Sequence, residues 1–253
     1  LLNISIYFMH IIKLSAIDST NSYLKNLCVG ELPENFTVIA AEHQLLGRGQ
    51  MGATWESVSG KNLTFSVLVR FSDLHITDQF YLSMAVALAI LKVLKGYVKN
   101  KLFVKWPNDI LADKSKLAGI LIENVLGRHA IKYAVIGVGL NVNQENFSNE
   151  IKNVTSLKKL AGEHIQRDEL LIDLINSLKK YVKLVENQGF FDLKKEYIAN
   201  LFKYEVPSMF EDYLGNQFLG KIIDISADGR LVVELENEKT RKFNLKEIKF
   251  ASF

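Results

Sequence analysis

Two strongly apolar runs, 116–125 and 131–138, stand either side of Leu126, Gly127, Arg128 and His129. Runs of this kind joined by a short glycine-bearing link signal a β-hairpin. A sheet is therefore the organising element. The rest of the chain has to supply strands that pair with the hairpin and helices that cover it. Alternation predicts further strands at 10–16, 37–42, 62–71 and 101–106. Asp18, Ser19, Thr20 and Asn21 offer a helix cap, after which Tyr23, Leu24, Leu27 and Cys28 form one apolar face. Thr77 is placed to cap a long helix reaching about residue 97, and helical spacing recurs at 156–161, 167–187 and 190–201.

After Tyr204 the texture changes. Short alternating strands at 205–211, 217–225, 230–236 and 240–244 are separated by Leu214-Gly215-Asn216 and Ala227-Asp228-Gly229. Such a tail predicts a small SH3-like β-barrel. The expected fold class is α+β: a mixed sheet packed with helices over 1–203, and the small barrel over 204–253.

Composition narrows the function. With 48% hydrophobic residues the chain can bury a core, which excludes wholesale disorder. A net charge of +3 gives no support to nucleic-acid binding by bulk charge. One cysteine excludes an intramolecular disulfide and a C-x-x-C zinc site, and it fits a reducing compartment, the cytoplasm. The apolar run at 1–14 is interrupted by Asn3, Ser5 and His10 and falls short of the roughly 20 residues of a membrane span. Met9 is the expected start, with 1–8 as an upstream extension. The stretch 81–94 is flanked by Asp78, Gln79, Lys92 and Lys95 and reads as a core helix, so no membrane association is expected.

Three clusters carry chemistry. Gly47-Arg48-Gly49-Gln50-Met51-Gly52 matches G-x-G-x-x-G, but Trp55 and a strand follow it where a dinucleotide fold needs a helix. An anion cradle of backbone N–H groups with the Arg48 guanidinium beside it, or a surface turn, both fit this loop. Lys105-Trp106-Pro107-Asn108-Asp109 ends a strand at proline and puts Asn108 and Asp109 at its mouth, as a site or as a turn. Lys116 precedes an apolar strand, where it is a site cation or a solvated lysine. Gly137-Val138-Gly139-Leu140-Asn141-Val142 lacks a third glycine and by itself reads as a strand end.

In order, D-S-T-N at 18–21, E-x-Q-x-x-G-R-G-x-x-G-x-x-W at 42–55, K-W-P-N-D at 105–109, K-L-A-G-I-L-x-E at 116–123 and G-x-G-x-N at 137–141 resemble the biotin–protein ligases. The resemblance spans nearly the whole chain from Met9 and implies two steps. Biotin is joined to the α-phosphate of ATP, giving biotinyl-5′-adenylate and pyrophosphate. A lysine on the biotin carboxyl carrier domain of a carboxylase then attacks the adenylate. Both steps need positioning and charge stabilisation rather than a nucleophile.

Carried over by match, Ser19, Thr20, Asn21, Gln44, Gly47, Arg48, Lys116 and Gly119 are implied to bind biotin. Gly49, Gln50, Trp55, Asn108, Lys116 and Asn141 are implied to bind ATP or the adenylate. Lys116, Arg48 and Asn108 are the implied catalytic set, with Mg²⁺ on the phosphates and no protein metal ligands. Gln50 departs from the second arginine of well-known members, and His43 stands where an aromatic residue is common. The implied enzyme is the type without an N-terminal DNA-binding domain, so no DNA partner is expected; monomer and homodimer both remain open. Alternatives are a lipoate or octanoate ligase or transferase, with Cys28 as the candidate nucleophile, and a biotin-sensing regulator.

Overall fold

A computed structural model describes residues 10–148, 152–236 and 238–251. The proposed upstream extension, 1–8, lies outside the described residues. Seven strands form one mixed sheet: β1 (Ile11–Ile17), β2 (Val38–Gln44), β3 (Leu63–His75), β4 (Leu102–Lys105), β5 (Asp109–Ala112), β6 (Ser115–Leu126) and β7 (Ala130–Leu140). Their order is β1-β2-β3-β7-β6-β5-β4. The predicted hairpin, β6 and β7, pairs antiparallel from Ala118↔Leu140 to Leu126↔Ile131. β1 and β2 pair in parallel, and this crossover is made by the helix α1 (Thr20–Leu27).

The two faces of the sheet are covered unequally. On one, Phe65, Val67 and Val69 of β3 and Ala134, Ile136 and Val138 of β7 pack into the main core with α2 (Gln79–Leu94), α4 (Arg167–Glu186) and α5 (Phe190–Ala199). A short helix, α3 (Leu157–Ala161), closes the end of this layer. By length and composition the stretch Ile76–Leu94 also passes as a membrane span. In this fold ten residues of α2 are buried against the sheet and α4, each large side chain contributing about 1.5–3 kcal/mol. On the other face α1 is the helix that packs among the described residues, through Leu24 and Cys28 against Ile39, Leu68 and Val135. Beyond Val135 that face of β7 carries Gly137 and Gly139. The apolar floor therefore gives way to bare backbone, which leaves a trough at the end of α1.

The expectation for α2 is corrected. Thr77 does not cap α2: its hydroxyl lies 2.8 Å from His75 Nδ1, a 3₁₀ turn occupies Ile76–Asp78, and the helix begins uncapped at Gln79. The helix ends at Leu94 because Gly96 turns back to the Val93 carbonyl. At 105–109, read as a site or as a turn, both are present: residues 106–108 turn, and Asn108 and Asp109 line the cleft into which the trough opens. Asp109 starts β5, which runs back antiparallel to β4 from Lys105↔Asp109.

The tail forms a second, five-stranded antiparallel sheet: β8 (Ser208–Asp212), β9 (Gln217–Ile225), β10 (Leu231–Leu235), β11 (Thr240–Phe243) and β12 (Ile248–Phe250), in the order β11-β10-β9-β8-β12. It folds around Phe210, Phe218 and Phe243. An aromatic chain joins it to the main sheet, running Phe103–Phe202–Phe250–Phe210 with ring centroids 4.9–5.7 Å apart. The turn before β10 is fixed as well. Trp106 Nε1 donates to the Gly229 carbonyl at 2.8 Å, and Gly229 lies so close on Phe80 that any side chain would collide with the ring.

Candidate active site

The trough on the α1 face opens into a cleft of about 700 Å³ that runs to the edge of the C-terminal sheet. Its polar end is built by the start of α1. Ser19 is the N-cap, accepting at 3.5 Å from Ser22 N, so both roles of D-S-T-N coincide there. Thr20 N and Oγ1 both reach Gln44 Oε1, at 2.8 and 3.0 Å. Ser66 Oγ lies 2.8 Å from Thr20 Oγ1 and 2.5 Å from Asn21 Oδ1. The Asn21 amide points the other way, donating to Glu123 Oε2 at 2.8 Å. With Asn21 in that orientation, Ser66 and Thr20 bring two hydroxyl protons to a cluster of oxygens that includes Asn21 Oδ1 and Gln44 Oε1. The pocket floor is thus richer in acceptors than in donors.

The middle of the cleft is a bed of glycines. Gly119 and Gly139 are partners across β6 and β7, and the Trp55 indole lies on both. A Cβ at Gly139 would collide with the indole, and one at Gly137 would collide with Asn21. The glycines that read as an ordinary strand end are therefore the surfaces on which a tryptophan and an asparagine rest. Trp55 Nε1 is buried with no hydrogen-bond partner.

Trp55 is delivered by the glycine-rich loop, which doubles back on itself. Arg48 bridges Thr54, Trp55 N donates to the Gly47 carbonyl at 2.9 Å, and Gly49 N donates to the Ala53 carbonyl at 2.6 Å. Gly47 permits this pairing, since its Cβ would run into the Trp55 carbonyl. It supports the loop from behind, while Arg48, Gly49 and Gln50 line the cleft. From the C-terminal sheet, Lys246 Nζ donates to the Met51 carbonyl at the loop tip, at 3.0 Å.

Of the cations that line the cleft, Lys116 and Arg48 at its α1 side are each held by a carboxylate. Lys116 Nζ sits 2.7 Å from Asp109 Oδ1 and 5.6 Å from the centre of the Trp55 ring. Arg48 Nη2 sits 2.6 Å from Glu123 Oε2, and Lys25 reaches Oε1 of the same carboxylate at 3.0 Å. Burial opposes ionisation of Glu123. Hydrogen bonds from Lys25 and Asn21 and the charges of Arg48 and Lys25 outweigh it, and its pKa is lowered. Asn108 lines the cleft with its amide tied to the Ile120 carbonyl at 2.8 Å. No cluster of three or more metal-ligating side chains occurs among the described residues.

The structure thus brings together Ser19, Thr20, Asn21, Gln44, Arg48, Gly49, Gln50, Trp55, Asn108, Lys116 and Gly119. It does not bring Asn141. That residue is 3% exposed, with its amide donating to the Thr155 carbonyl at 3.0 Å and its backbone N bound to Leu117, so it joins β7 to its surroundings. Sequence reasoning passed over Ser66 and gave Glu123 no role. The signal for Ser66 was present: a small polar residue within the apolar run 63–69.

The chain is similar to known proteins in sequence and in fold. The sequence model of the Biotin/lipoate A/B protein ligase family matches residues 14–141, and that of the biotin protein ligase C-terminal domain matches 210–248. The bifunctional ligase/repressor BirA of Bacillus subtilis is 29% identical over 239 residues, covering 92% of this chain and 71% of the relative. The biotin–[acetyl-CoA-carboxylase] ligase of Mycobacterium tuberculosis is 30% identical over 227 residues, covering 86% and 80%. The biotin protein ligase of Aquifex aeolicus, solved with biotin and ATP, superposes with a TM-score of 0.78 at 24% identity over 96% of this chain and all of that one.

Proposed function

The chain belongs to the biotin/lipoate A/B protein ligase family, and on that premise we propose that it is a biotin–protein ligase. It activates biotin with ATP and transfers the biotinyl group to a lysine of a carboxylase carrier domain. The observation that carries this reading over its lipoate alternative is the acceptor-rich floor at Thr20, Asn21, Gln44 and Ser66. A ureido ring brings two N–H donors to such a floor, and its carbonyl meets the Gln44 amide. A dithiolane ring brings none, and so gains no hydrogen bond from oxygens that still have a lone pair to offer beside the bonds they already accept. Cys28, the nucleophile a transferase reading needs, packs under α1 against Leu24, Ile39, Leu68 and Val135. Burial raises its thiol pKa, the reverse of what a reactive cysteine requires.

With the ring anchored at α1, the carboxylate is directed along the cleft toward Lys116, and the Trp55 indole, which rests on Gly119 and Gly139, has to lift wherever the valeryl chain takes that bed. A carboxylate oxygen attacks the α-phosphorus of ATP, the bond to the β-phosphate oxygen breaks, and pyrophosphate leaves. Lys116, held by Asp109, offsets the negative charge that builds on the α-phosphate. In the second step the neutral acceptor amine attacks the acyl carbon, the acyl–oxygen bond breaks, AMP leaves, and the amine gives up a proton. When bound, Mg²⁺ would neutralise charge on the phosphates. Asp109, beside Asn108, would help hold an ion that arrives on ATP, since no cluster of three or more metal-ligating side chains occurs among the described residues.

The test is direct. Purified chain, ATP, Mg²⁺ and an equal mixture of biotin and lipoate are incubated with a carrier domain, and intact mass is read. One biotinyl group should be gained, and none when the carrier's acceptor lysine is replaced by arginine. A carrier that takes up lipoate instead would refute the assignment.

A further inference from the structure

Three donors from two separate elements converge on the Glu123 carboxylate. Asn21 Nδ2 and Arg48 Nη2 share Oε2 at 2.8 and 2.6 Å, and Lys25 Nζ takes Oε1 at 3.0 Å. Asn21 and Lys25 come from α1, Arg48 from the glycine-rich loop and Glu123 from β6. The carboxylate is therefore the point at which the loop, the helix and the sheet are tied together. The Arg48 side chain is 42% exposed and that of Glu123 22%, so the pair lies at the mouth of the cleft, partly shielded from water. The loop needs such a tie. Leu45, Leu46, Met51 and Val58 are exposed along it, so little apolar burial holds it down. Its side-chain links to the body include Trp55 on the glycine bed, Lys246 at the tip, Gln144 Oε1 accepting from Val58 N at 3.1 Å, and this ion pair.

The geometry points to Glu123 as a positioning residue that locks the loop shut through Arg48. The Arg48 charge is spent on the lock rather than on an incoming anion, and its service to the ligand is to hold the loop backbone and Trp55 in place. The same carboxylate turns the Asn21 amide so that Oδ1 faces the pocket. The inference deepens the ligase reading, on which only its ligand-retention arm rests.

The two roles open to Arg48 give opposite signs for Glu123→Gln. Glutamine keeps the shape and can still accept from Asn21, but it releases Arg48. If Arg48 were a clamp for the ligand anion, release would leave biotin held as tightly or more tightly. If Glu123 is the lock, release opens the loop. Hydrogen–deuterium exchange of the ligand-free chain reads the loop directly, without any ligand. Amides at 45–60 should exchange about tenfold faster in Glu123→Gln, the scale of one partly shielded charge-assisted bond. Arg48→Gln, which leaves the strand untouched, should do the same, and the double variant should add nothing further. Lys25→Met removes the donor that does not touch the loop and should leave exchange at 45–60 unchanged. Biotin should dissociate about tenfold faster from Glu123→Gln, raising KM with kcat largely kept. Unchanged loop exchange, tighter biotin binding, or a Lys25→Met variant that opens the loop equally would each overturn the lock. A wild-type chain that binds no biotin would refute the ligase reading, while the exchange experiment still decides the lock.

Discussion

Gly139→Ala isolates what the glycine bed does. Gly139 lies in β7 with no need for a positive φ, so alanine costs nothing in backbone conformation. By itself the change lowers the entropy of the unfolded chain and stabilises by about 0.4–1 kcal/mol. The new methyl would nevertheless stand 2.7 Å from Trp55 Cδ2 and Cζ2 and closer still to Cε2. Ordinary carbon contacts lie at about 3.5–4.0 Å, so the indole has to lift by on the order of 1 Å. Overpacking of this size costs about 1–3 kcal/mol. The strand pairs throughout with β3 and β6, whereas Trp55 hangs on a loop, so the loop yields. The expected outcome is a split. The Tm should stay within about 2–4 °C of wild type, whereas biotin binding should weaken by about 10–100-fold. Gly119→Ala is the graded control: its methyl would approach Trp55 Cζ3 at 3.1 Å, a contact relieved by a few tenths of an ångström. It should cost less than about tenfold. Calorimetric titration with biotin beside thermal melting of each variant reads both quantities. Equal affinities for wild type and Gly139→Ala, or a large loss of Tm with no specific loss of binding, would refute the bed.

Other expectations follow from the same geometry. Lys116→Met should slow adenylation by about 10²–10³-fold while biotin still binds without ATP, because the lysine acts on charge formed during reaction; loss of biotin binding to the same degree would contradict its role. Gln50→Arg adds a cation at a position lining the cleft, and should slow release of the adenylate in a chase with unlabelled ligand; an unchanged rate would remove Gln50 from the account. Trp106→Phe deletes the bond to the Gly229 carbonyl and should cost about 0.5–1.5 kcal/mol, read as a small fall in Tm. The pKa of Glu123 is lowered in the fold, so its contribution to loop closure is full above the ordinary carboxylate value. It is lost as pH falls through the lowered one. Loop exchange, corrected for its intrinsic pH dependence, should rise in that acid window, and this rise should vanish in Glu123→Gln.

Much of the fold is legible because its signals are local. The 116–138 hairpin and the Ser19 cap each depend on neighbours a few residues away, and both are where the pattern puts them. The strands β5 and β12 are four and three residues long, too short for alternation to stand out, and both exist because a neighbouring strand supplies their partners. Thr77 is a good cap by type, but His75 takes its hydroxyl. The site divides in the same way. The motifs locate the cleft, yet what they do inside it depends on partners far along the chain. Arg48 meets Glu123 and Trp106 meets Gly229. Gly137 and Gly139 gain meaning only from the side chains lying on them. Asn141 looks like a site residue by its motif, but its amide is taken by the Thr155 carbonyl.

The central claim is that the polar end of the cleft selects an acid bearing a ureido ring and that the Lys116 end activates it with ATP. Exchange of labelled pyrophosphate into ATP, with purified chain and Mg²⁺ and with biotin, lipoate or no acid added, tests both halves together. Exchange that depends on biotin and is absent with lipoate is the predicted result; exchange with lipoate alone, or none with either acid, would contradict it.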